Sequence, residues 1–435
     1  MSLAPEQREP AEAPDRSEAP DRSEALAEPV RRVGRGWVAL YVLANVGVFI
    51  PMHVPTTFLL PEQIAQIDPA GKVGSYAWVS MMGAIAGIVI APLAGALSDR
   101  TTGRLGRRRP WLLAGSLVCV ATLVFTGLQT TVAGLALGSL VLSASFMIIG
   151  AGLSPVVPDQ VPVTQRGAVL GWAMVPQAGA LIAGGLLIGL VTGFPAQYVL
   201  LAGLPLLILL FALTMKDLPL PHAHREPFSP RAFLDGYRIS PRAHPDFVWA
   251  MSSRFIMGLG YGMGTLYLPY FLDDVLHYER LFPGRSTEDG LLIVIGVNSV
   301  ATISTVVLSG WLSDRLGKRR MLVFLGGLTM AVAAVPLALS PTWTMTLIAA
   351  VILGLGYGVY LAVDTALVTE VLPASADRGK DMALANLMTS LPYVLVPPIA
   401  SLVLEGPGGY SSLFLCSAAM SALGAVLVWR VKSIR

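Results

Sequence analysis

Charged side chains are scarce in this chain, and their scarcity excludes an ordinary soluble fold. Only 13% of the 435 residues are Asp, Glu, Lys or Arg, whereas 54% are hydrophobic. An ordinary soluble domain carries roughly 25% charged residues, and these cover its core. Because too few charges are present to cover so large a core in water, the composition predicts an integral membrane protein.

Cysteines, metal-ligand patterns and nucleotide motifs are also lacking. Cys119 and Cys416 both lie in apolar runs, which is typical of small buried side chains rather than of a disulfide. The histidines have no metal-ligand spacing, and no phosphate-binding P-loop is present. We therefore expect no enzyme, no metal and no cofactor, and an ion or substrate gradient as the energy source. The small net charge of +3 says nothing by itself about nucleic acid. We expect no nucleic-acid partner, and no obligate protein partner is implied.

Long apolar stretches are what the chain does contain. From Trp37 onward, runs of about 18 to 24 residues alternate with short polar breaks, and each run is long enough to cross a bilayer as a helix. The pattern predicts twelve transmembrane helices near residues 37–59, 75–97, 111–128, 132–153, 168–191, 195–214, 248–270, 289–309, 321–339, 343–365, 383–404 and 410–429.

The segment before the first span differs in composition. It is rich in Glu, Pro, Ala and Asp, and it repeats Ala-Pro-Asp-Arg-Ser-Glu at 13–18 and 19–24. Such a segment buries too little apolar surface to fold, so we expect a disordered tail and no signal peptide. The predicted organisation is a tail at 1–35, a six-helix bundle at 36–215, a linker at 216–246 and a second six-helix bundle at 247–435.

Basic residues are distributed unequally between alternate loops. One side of the membrane receives 23 Lys and Arg residues, whereas the other receives only Lys72, Arg280 and Arg285. Because basic loops remain in the cytoplasm, both termini are predicted to be cytoplasmic in a plasma (inner) membrane protein.

Two motifs occur twice in the same order. Gly95-Ala-Leu-Ser-Asp99-Arg100 ends the second span and is followed by Leu105-Gly-Arg-Arg-Arg109. The eighth span ends with Gly310-Trp-Leu-Ser-Asp314-Arg315, followed by Leu316-Gly-Lys-Arg-Arg320. At the ends of spans 4 and 10, Asp159-Gln-Val-Pro162 runs to Arg166, and Glu370-Val-Leu-Pro373 runs to Arg378. The chain is therefore read as a tandem duplication of a six-helix unit.

These motifs resemble a known family. Gly-x-x-x-Asp-Arg-x-x-Gly-Arg-Arg in the loop after span 2 resembles motif A of the major facilitator superfamily. The extended form from Ser98 to Pro110, with Tyr270-Phe-Leu-Asp-Asp274, is similar to sucrose–proton and glycoside–cation symporters. The resemblance implies an all-α membrane protein with twelve transmembrane helices in two pseudo-symmetric six-helix bundles. It also implies a central cavity, alternating access, and uptake of a small-molecule sugar or glycoside with protons across the lipid bilayer.

Two other functions remain open. Span 5 carries Gly171-Trp-Ala-Met-Val-Pro-Gln-Ala-Gly179 followed by Gly184-Gly185, which partly resembles the motif of drug–proton antiporters but lacks its Gly-Pro pair. Proton-driven efflux of a drug or metabolite is therefore the second hypothesis. A non-transporting membrane sensor of the same fold is the third.

The resemblance also implies a cytoplasmic gate, in which the motif A loop packs against the partner half. Alternatively, its basic residues only hold the loop in the cytoplasm, and the acids at the ends of spans 4 and 10 are simply solvated. The gate candidates are Asp99, Arg100, Arg107, Arg108, Asp159, Arg166, Asp314, Arg315, Arg319, Glu370 and Arg378.

One basic residue, Arg254, lies inside a span, where insertion of an arginine costs about 2.5–3.5 kcal/mol. Gly258 and Gly262 fall on the same helical face, which suggests a face packed against protein. We therefore predict that Arg254 points into the bundle and pairs with Asp364, so that protonation of this acid biases the two states. The alternative is an arginine that extends to the cytoplasmic headgroups.

Further polar side chains inside the spans are candidates for proton coupling or for the substrate cavity. His53 lies between two prolines of span 1 and has a near-neutral intrinsic pKa, although it could equally lie at the outer water interface. The other candidates could offer hydrogen bonds to hydroxyl groups or could join helix to helix: Asn45, Gln177, Tyr261, Asn298, Tyr357, Tyr360 and Asn386.

Overall fold

The computed structural model describes residues 29–217, 244–316, 318–371 and 378–432, and within these ranges it is helical with no strand. The side chains of 307, 310, 311, 314, 316, 365, 366, 368–371 and 378–386 are not described. Most of the predicted tail and linker, and the side chains of Asp314, Glu370, Arg378 and Asn386, therefore lie outside the described residues.

The N-terminal half consists of helices whose apolar residues were predicted as spans 1 to 6. Its helices are α1 Arg35–Val54, a π-helical turn Pro55–Leu59, α2 Leu60–Ile67, α3 Lys72–Asp99, α4 Arg109–Gly127, α5 Val132–Leu153, α6 Val156–Gln160, α7 Val163–Ile188, α8 Phe194–Ala202 and α9 Leu206–Thr214.

The C-terminal half repeats the pattern. Its helices are α10 Pro245–Thr265, α11 Leu268–Asp274, α12 Tyr278–Leu281, α13 Thr287–Leu316, α14 Arg319–Leu339, α15 Trp343–Val371, α16 Arg378–Leu404 and α17 Gly409–Leu427, followed by a 3-10 turn Val428–Arg430.

The predicted count of twelve is not matched in full. All twelve predicted segments are helical, but eleven helices in the described chain are long and apolar enough to cross a membrane. The seventh segment falls on α10 and α11 and is not among the eleven. Asp246 and Arg254 lie within α10, and such charges reduce the apolar character of a span.

Small residues bring equivalent helices together in both halves. A Cβ added at Gly83 of α3 would lie 2.5 Å from the Ser139 hydroxyl of α5, and one at Gly354 of α15 would lie 2.8 Å from Ala301 Cβ of α13. Close contact of backbones is the usual packing device between membrane helices. Spans 2 and 4 thus pack as spans 8 and 10 do.

The repeat is also visible in one pair of hydrogen bonds. The Arg109 guanidinium donates to the Met215 carbonyl at the end of span 6. At the corresponding place in the second half, Arg320 donates to the Val431 carbonyl over 2.6 Å. The duplication read from the motifs therefore extends to the way each half holds its last helix.

The bundle has two ends, which are named by the residues that they carry. The motif end carries residues 99–109 and 314–320. The Lys72 end carries residues 68–72 and 268–287.

Candidate functional site

A cavity of about 1670 Å³ lies between the two halves. Its wall is formed by helices of both halves, and along α3 it extends from Tyr76 to Arg100, which is at the motif end. Several residues predicted from the sequence lie on this wall: His53, Asp99, Arg100, Gln177, Tyr261, Asn298 and Tyr357.

Two tyrosines form an aromatic surface on the cavity wall. The rings of Tyr261 on α10 and Tyr357 on α15 stack with centroids 4.2 Å apart and an interplanar angle of 16°. The sequence contains Gly-Leu-Gly-Tyr-Gly twice, at 258–262 and at 354–358, and Tyr261 and Tyr357 are the tyrosines of these two runs. The absence of side chains on their glycine neighbours lets the helices approach closely, since a Cβ at Gly262 would lie 2.8 Å from Val396 on α16.

His53 lies on the wall of the cavity, at the point where α1 loses its regular hydrogen bonding. Pro51 and Pro55 supply no backbone N–H, and a π-helical turn begins at Pro55. The Thr56 hydroxyl compensates by donating to the His53 carbonyl over 2.9 Å. The imidazole itself stacks on Phe49 at a centroid distance of 6.4 Å. The local helix distortion therefore places a titratable ring against the cavity.

Three predicted polar residues do not act as open cavity ligands. Asn45 is only 6% exposed and is absent from the wall, because its amide donates to the Tyr41 carbonyl one turn earlier over 2.8 Å. Asn298 reaches the wall but also donates to the Ala350 carbonyl over 3.1 Å, joining α13 to α15. Tyr360 lies behind the wall, beside the ion pair of Arg254 and Asp364.

Arg254 and Asp364 form a buried ion pair between α10 and α15. The Arg254 Nε and Nη2 atoms lie 2.6 and 2.5 Å from Oδ2 of Asp364. The two side chains are 9% and 8% exposed, and the Tyr360 side chain lies beside both. The structure thus contains the contact predicted from the sequence, with the guanidinium buried inside the bundle. The role of the pair in proton coupling stays a prediction.

The ion pair is connected to the cavity through one layer of aromatic rings. Tyr360 lies 6.2 Å from Tyr357, measured between ring centroids, and Tyr357 is part of the stacked pair on the wall. Packed side chains therefore connect the cavity wall, where a substrate would bind, to the Arg254–Asp364 pair.

The motif end of the N-terminal half holds a charge network. Arg108 is buried, and its Nη1 and Nε atoms lie 2.9 Å from Asp99 and 3.0 Å from Asp159. Arg107 also pairs with Asp99, over 3.0 Å. Arg166 lies outside this network, because it donates to the carbonyls of Pro158 and Val161 in its own loop. These contacts lie within one half, so closure against the partner half stays a prediction.

Asp217 is a member of this network that the sequence analysis missed. Its Oδ2 atom accepts the backbone N–H groups of Arg108 and Arg109 over 2.6 and 2.7 Å. It thereby caps the N-terminus of α4 and holds Arg108 in place. Gly106 makes room for it, with φ of +97° and a Cβ position 2.7 Å from Asp217 Cβ. The only signal in the sequence was an acid directly after span 6.

A second group of contacts, also missed, joins the halves at the Lys72 end. Lys72 at the start of α3 lies 2.6 Å from Asp274 and 3.2 Å from Asp273 at the end of α11. Tyr410 donates a 2.7 Å hydrogen bond to Asp274. Tyr270 also crosses between the halves, donating to the Pro61 carbonyl over 2.9 Å. The Lys72 end is therefore closed in this structure.

Comparison with known proteins adds family relationships to this geometry. The family model described as Major Facilitator Superfamily matches residues 36–297 and 284–434. The sucrose transport protein SUT1 of Oryza sativa subsp. japonica is 39% identical over 67 residues, which are 15% of this chain and 12% of that protein. The arabinose-proton symporter of Bacillus subtilis (strain 168) is 32% identical over 137 residues, covering 31% of this chain and 27% of the symporter.

Among solved structures, that of the nucleoside transporter NupG is similar. Its TM-score is 0.70 at 14% identity, over 92% of this chain and 99% of that chain. The likeness at this identity is one of fold. The matched segments span about a quarter or less of the two curated relatives.

Proposed function

Because this chain belongs to the Major Facilitator Superfamily, a superfamily of membrane transporters, we propose that it takes up a sugar or glycoside together with protons by alternating access. The observation that carries the proposal is the stacked Tyr261–Tyr357 surface on the cavity wall, with the Arg254–Asp364 pair directly behind it.

The distribution of basic residues supports the orientation used in this proposal. With this orientation, the motif end and both termini face the cytoplasm of a plasma (inner) membrane protein. The structure then corresponds to a state that is closed to the outside, with a cavity that reaches Asp99 and Arg100 at the cytoplasmic end. A substrate captured from outside would leave through this end.

The chemistry of the wall supports a hydroxylated substrate. Small-molecule sites combine an apolar surface with a few placed polar groups. The outer face of the Tyr261–Tyr357 stack suits the apolar face of a sugar ring, while the amide of Gln177 and the hydroxyls of Ser80 and Tyr393 can hydrogen-bond its edges. The volume of about 1670 Å³ exceeds that of a single hexose and admits a glycoside.

The buried ion pair supplies the proposed proton site. Protonation of Asp364 would remove one charge of the pair and weaken its attraction to Arg254. A proton that binds one conformation more tightly than the other shifts their populations. We propose that Asp364 binds the coupled proton, and that the small-molecule substrate and protons are the partners of this transporter.

A solute screen in proteoliposomes under an imposed pH gradient tests the proposal. With an acidic exterior, we expect accumulation of a sugar or glycoside that collapses with a protonophore. Tyr357→Leu removes the aromatic surface and should raise KM at least tenfold. Tyr198→Phe is the matched control, because Tyr198 is fully buried elsewhere and its hydroxyl has no hydrogen-bond partner among the described residues.

The same screen separates the two other hypotheses. Gradient-driven export from inverted vesicles, with no competition by sugars, would instead establish efflux. Ligand binding without flux in either direction would establish a sensor. Either result would overturn the proposed uptake.

A further inference from the structure

The Lys72 end holds a three-residue ion cluster that bridges the halves. Lys72 belongs to α3 of the N-terminal half, whereas Asp273 and Asp274 end α11 of the C-terminal half, about 200 residues later. Only 16% of the Lys72 side chain is exposed. Its ammonium also lies 5.0 Å from the centroid of the Tyr270 ring, within the range of a cation–π contact.

The two aspartates are not equivalent. Asp274 lies 2.6 Å from the ammonium and is 32% exposed, whereas Asp273 lies at 3.2 Å and is 57% exposed. Asp274 is also held by the Tyr410 hydroxyl. An ion pair gains more when its partners are shielded from water and pre-positioned. Asp274 is therefore the principal partner.

Within the described loop that precedes it, residues 68–71, Lys72 has no ready substitute partner. The nearest acid in its loop, Asp68, is already engaged, since its carboxylate accepts bonds from the Gly71 N–H and the Ser75 hydroxyl over 3.0 and 2.6 Å. If the halves separated at this end, the ammonium would lose its contacts with both aspartates at once. The cluster therefore stabilises only the state in which the Lys72 end is closed.

We infer that Lys72 is the positioning residue of a gate at the Lys72 end, which stabilises the closed state through Asp274. This inference rests on the proposed alternating-access cycle. It assigns different tasks to the two ends: the ion pairs of Arg107 and Arg108 at the motif end lie within the N-terminal half, whereas the Lys72 cluster acts between halves.

The distance across the Lys72 end tests the gate in the full-length protein without substrate. Spin labels at Ala70→Cys and Leu281→Cys, in a Cys119→Ala and Cys416→Ala background, report this distance by pulsed electron resonance in nanodiscs. Both label positions are exposed and lie in different halves. The unmodified gate should give mainly the short, closed distance.

Lys72→Met should raise the ratio of the long to the short distance by on the order of tenfold, the size expected for a partly buried ion pair. Asp274→Asn should act similarly, and Asp273→Asn should have a smaller effect. The control Arg285→Gln neutralises an exposed cation at the same end and should leave the distances unchanged.

The charge swap keeps the test decisive even if a single variant folds poorly. Lys72→Asp combined with Asp274→Lys should restore the short distance, which a merely structural role of either residue would not produce. Unchanged distances in Lys72→Met, or a larger effect of Asp273→Asn than of Asp274→Asn, would overturn the inference. Because no substrate is needed, a failed solute screen with shifted distances would refute the uptake proposal alone.

Discussion

Removal of one partner of the buried ion pair should destabilise the C-terminal half. In Arg254→Met, the Asp364 carboxylate loses both guanidinium contacts, at 2.6 and 2.5 Å, and stays in a site where its side chain is 8% exposed. Breaking a buried pair in this way costs about 3–5 kcal/mol, because the remaining charge is uncompensated. For a unit of 150–250 residues, each kcal/mol shifts Tm by roughly 2–4 °C. We expect a decrease of roughly 6–20 °C.

Intrinsic tryptophan fluorescence during heating in detergent measures this decrease. The double variant Arg254→Met/Asp364→Leu removes both charges and should recover most of the lost Tm, since an apolar pair of similar volume is often neutral. A Tm for Arg254→Met close to that of the parent protein would refute the reasoning. So would a double variant that is no more stable than the single one.

Transport assays on the same pair address its role rather than its stability. Asp364→Asn keeps an acceptor oxygen for Arg254 but has no carboxyl group to bind a proton. Uptake driven by a pH gradient should be lost, whereas exchange of substrate between the two sides should persist. Unchanged pH dependence in Asp364→Asn would separate the ion pair from proton coupling.

Three further substitutions test other parts of the structure. Gly106→Ala should cost on the order of 2 kcal/mol, measured as a lower Tm, because it combines strain at positive φ with displacement of Asp217 from the α4 cap; an unchanged Tm would contradict this. Gly358→Ala places a Cβ 2.5 Å from a backbone carbonyl of α13, so it should lower the free energy of unfolding by about 1–3 kcal/mol. The variant should give a smaller peak of folded protein in size-exclusion chromatography than the parent protein. The carboxyl groups of Glu62 and Glu288 lie close to each other across the halves, and two neighbouring carboxyl groups favour one shared proton. Glu288→Gln should make closure of the Lys72 end less sensitive to pH, and an identical pH response would count against the shared proton.

Much of the architecture could be predicted because the bilayer imposes it. Apolar runs of fixed length identify helices, and repeated motifs at equivalent span ends reveal the duplication. The Arg254–Asp364 contact could be predicted for a related reason. A charge in mid-membrane needs a partner, and the rise of 1.5 Å per residue along each helix places Asp364 at a comparable depth.

Other features depended on the tertiary structure alone. The sequence gives the depth of a residue along a span, but a helix that is apolar on nearly all sides gives no rotation about its axis. For this reason Asn45 and Tyr360 were both predicted for the cavity. The Asn45 amide instead bonds to the backbone of its own helix, and Tyr360 lies behind the cavity wall. Lys72 and Asp274 are about 200 residues apart, and only the packing of the two halves brings them together. The chain alone thus determined which segments cross the membrane, whereas the closed end and the cavity wall followed from helix rotation and from contacts between distant segments.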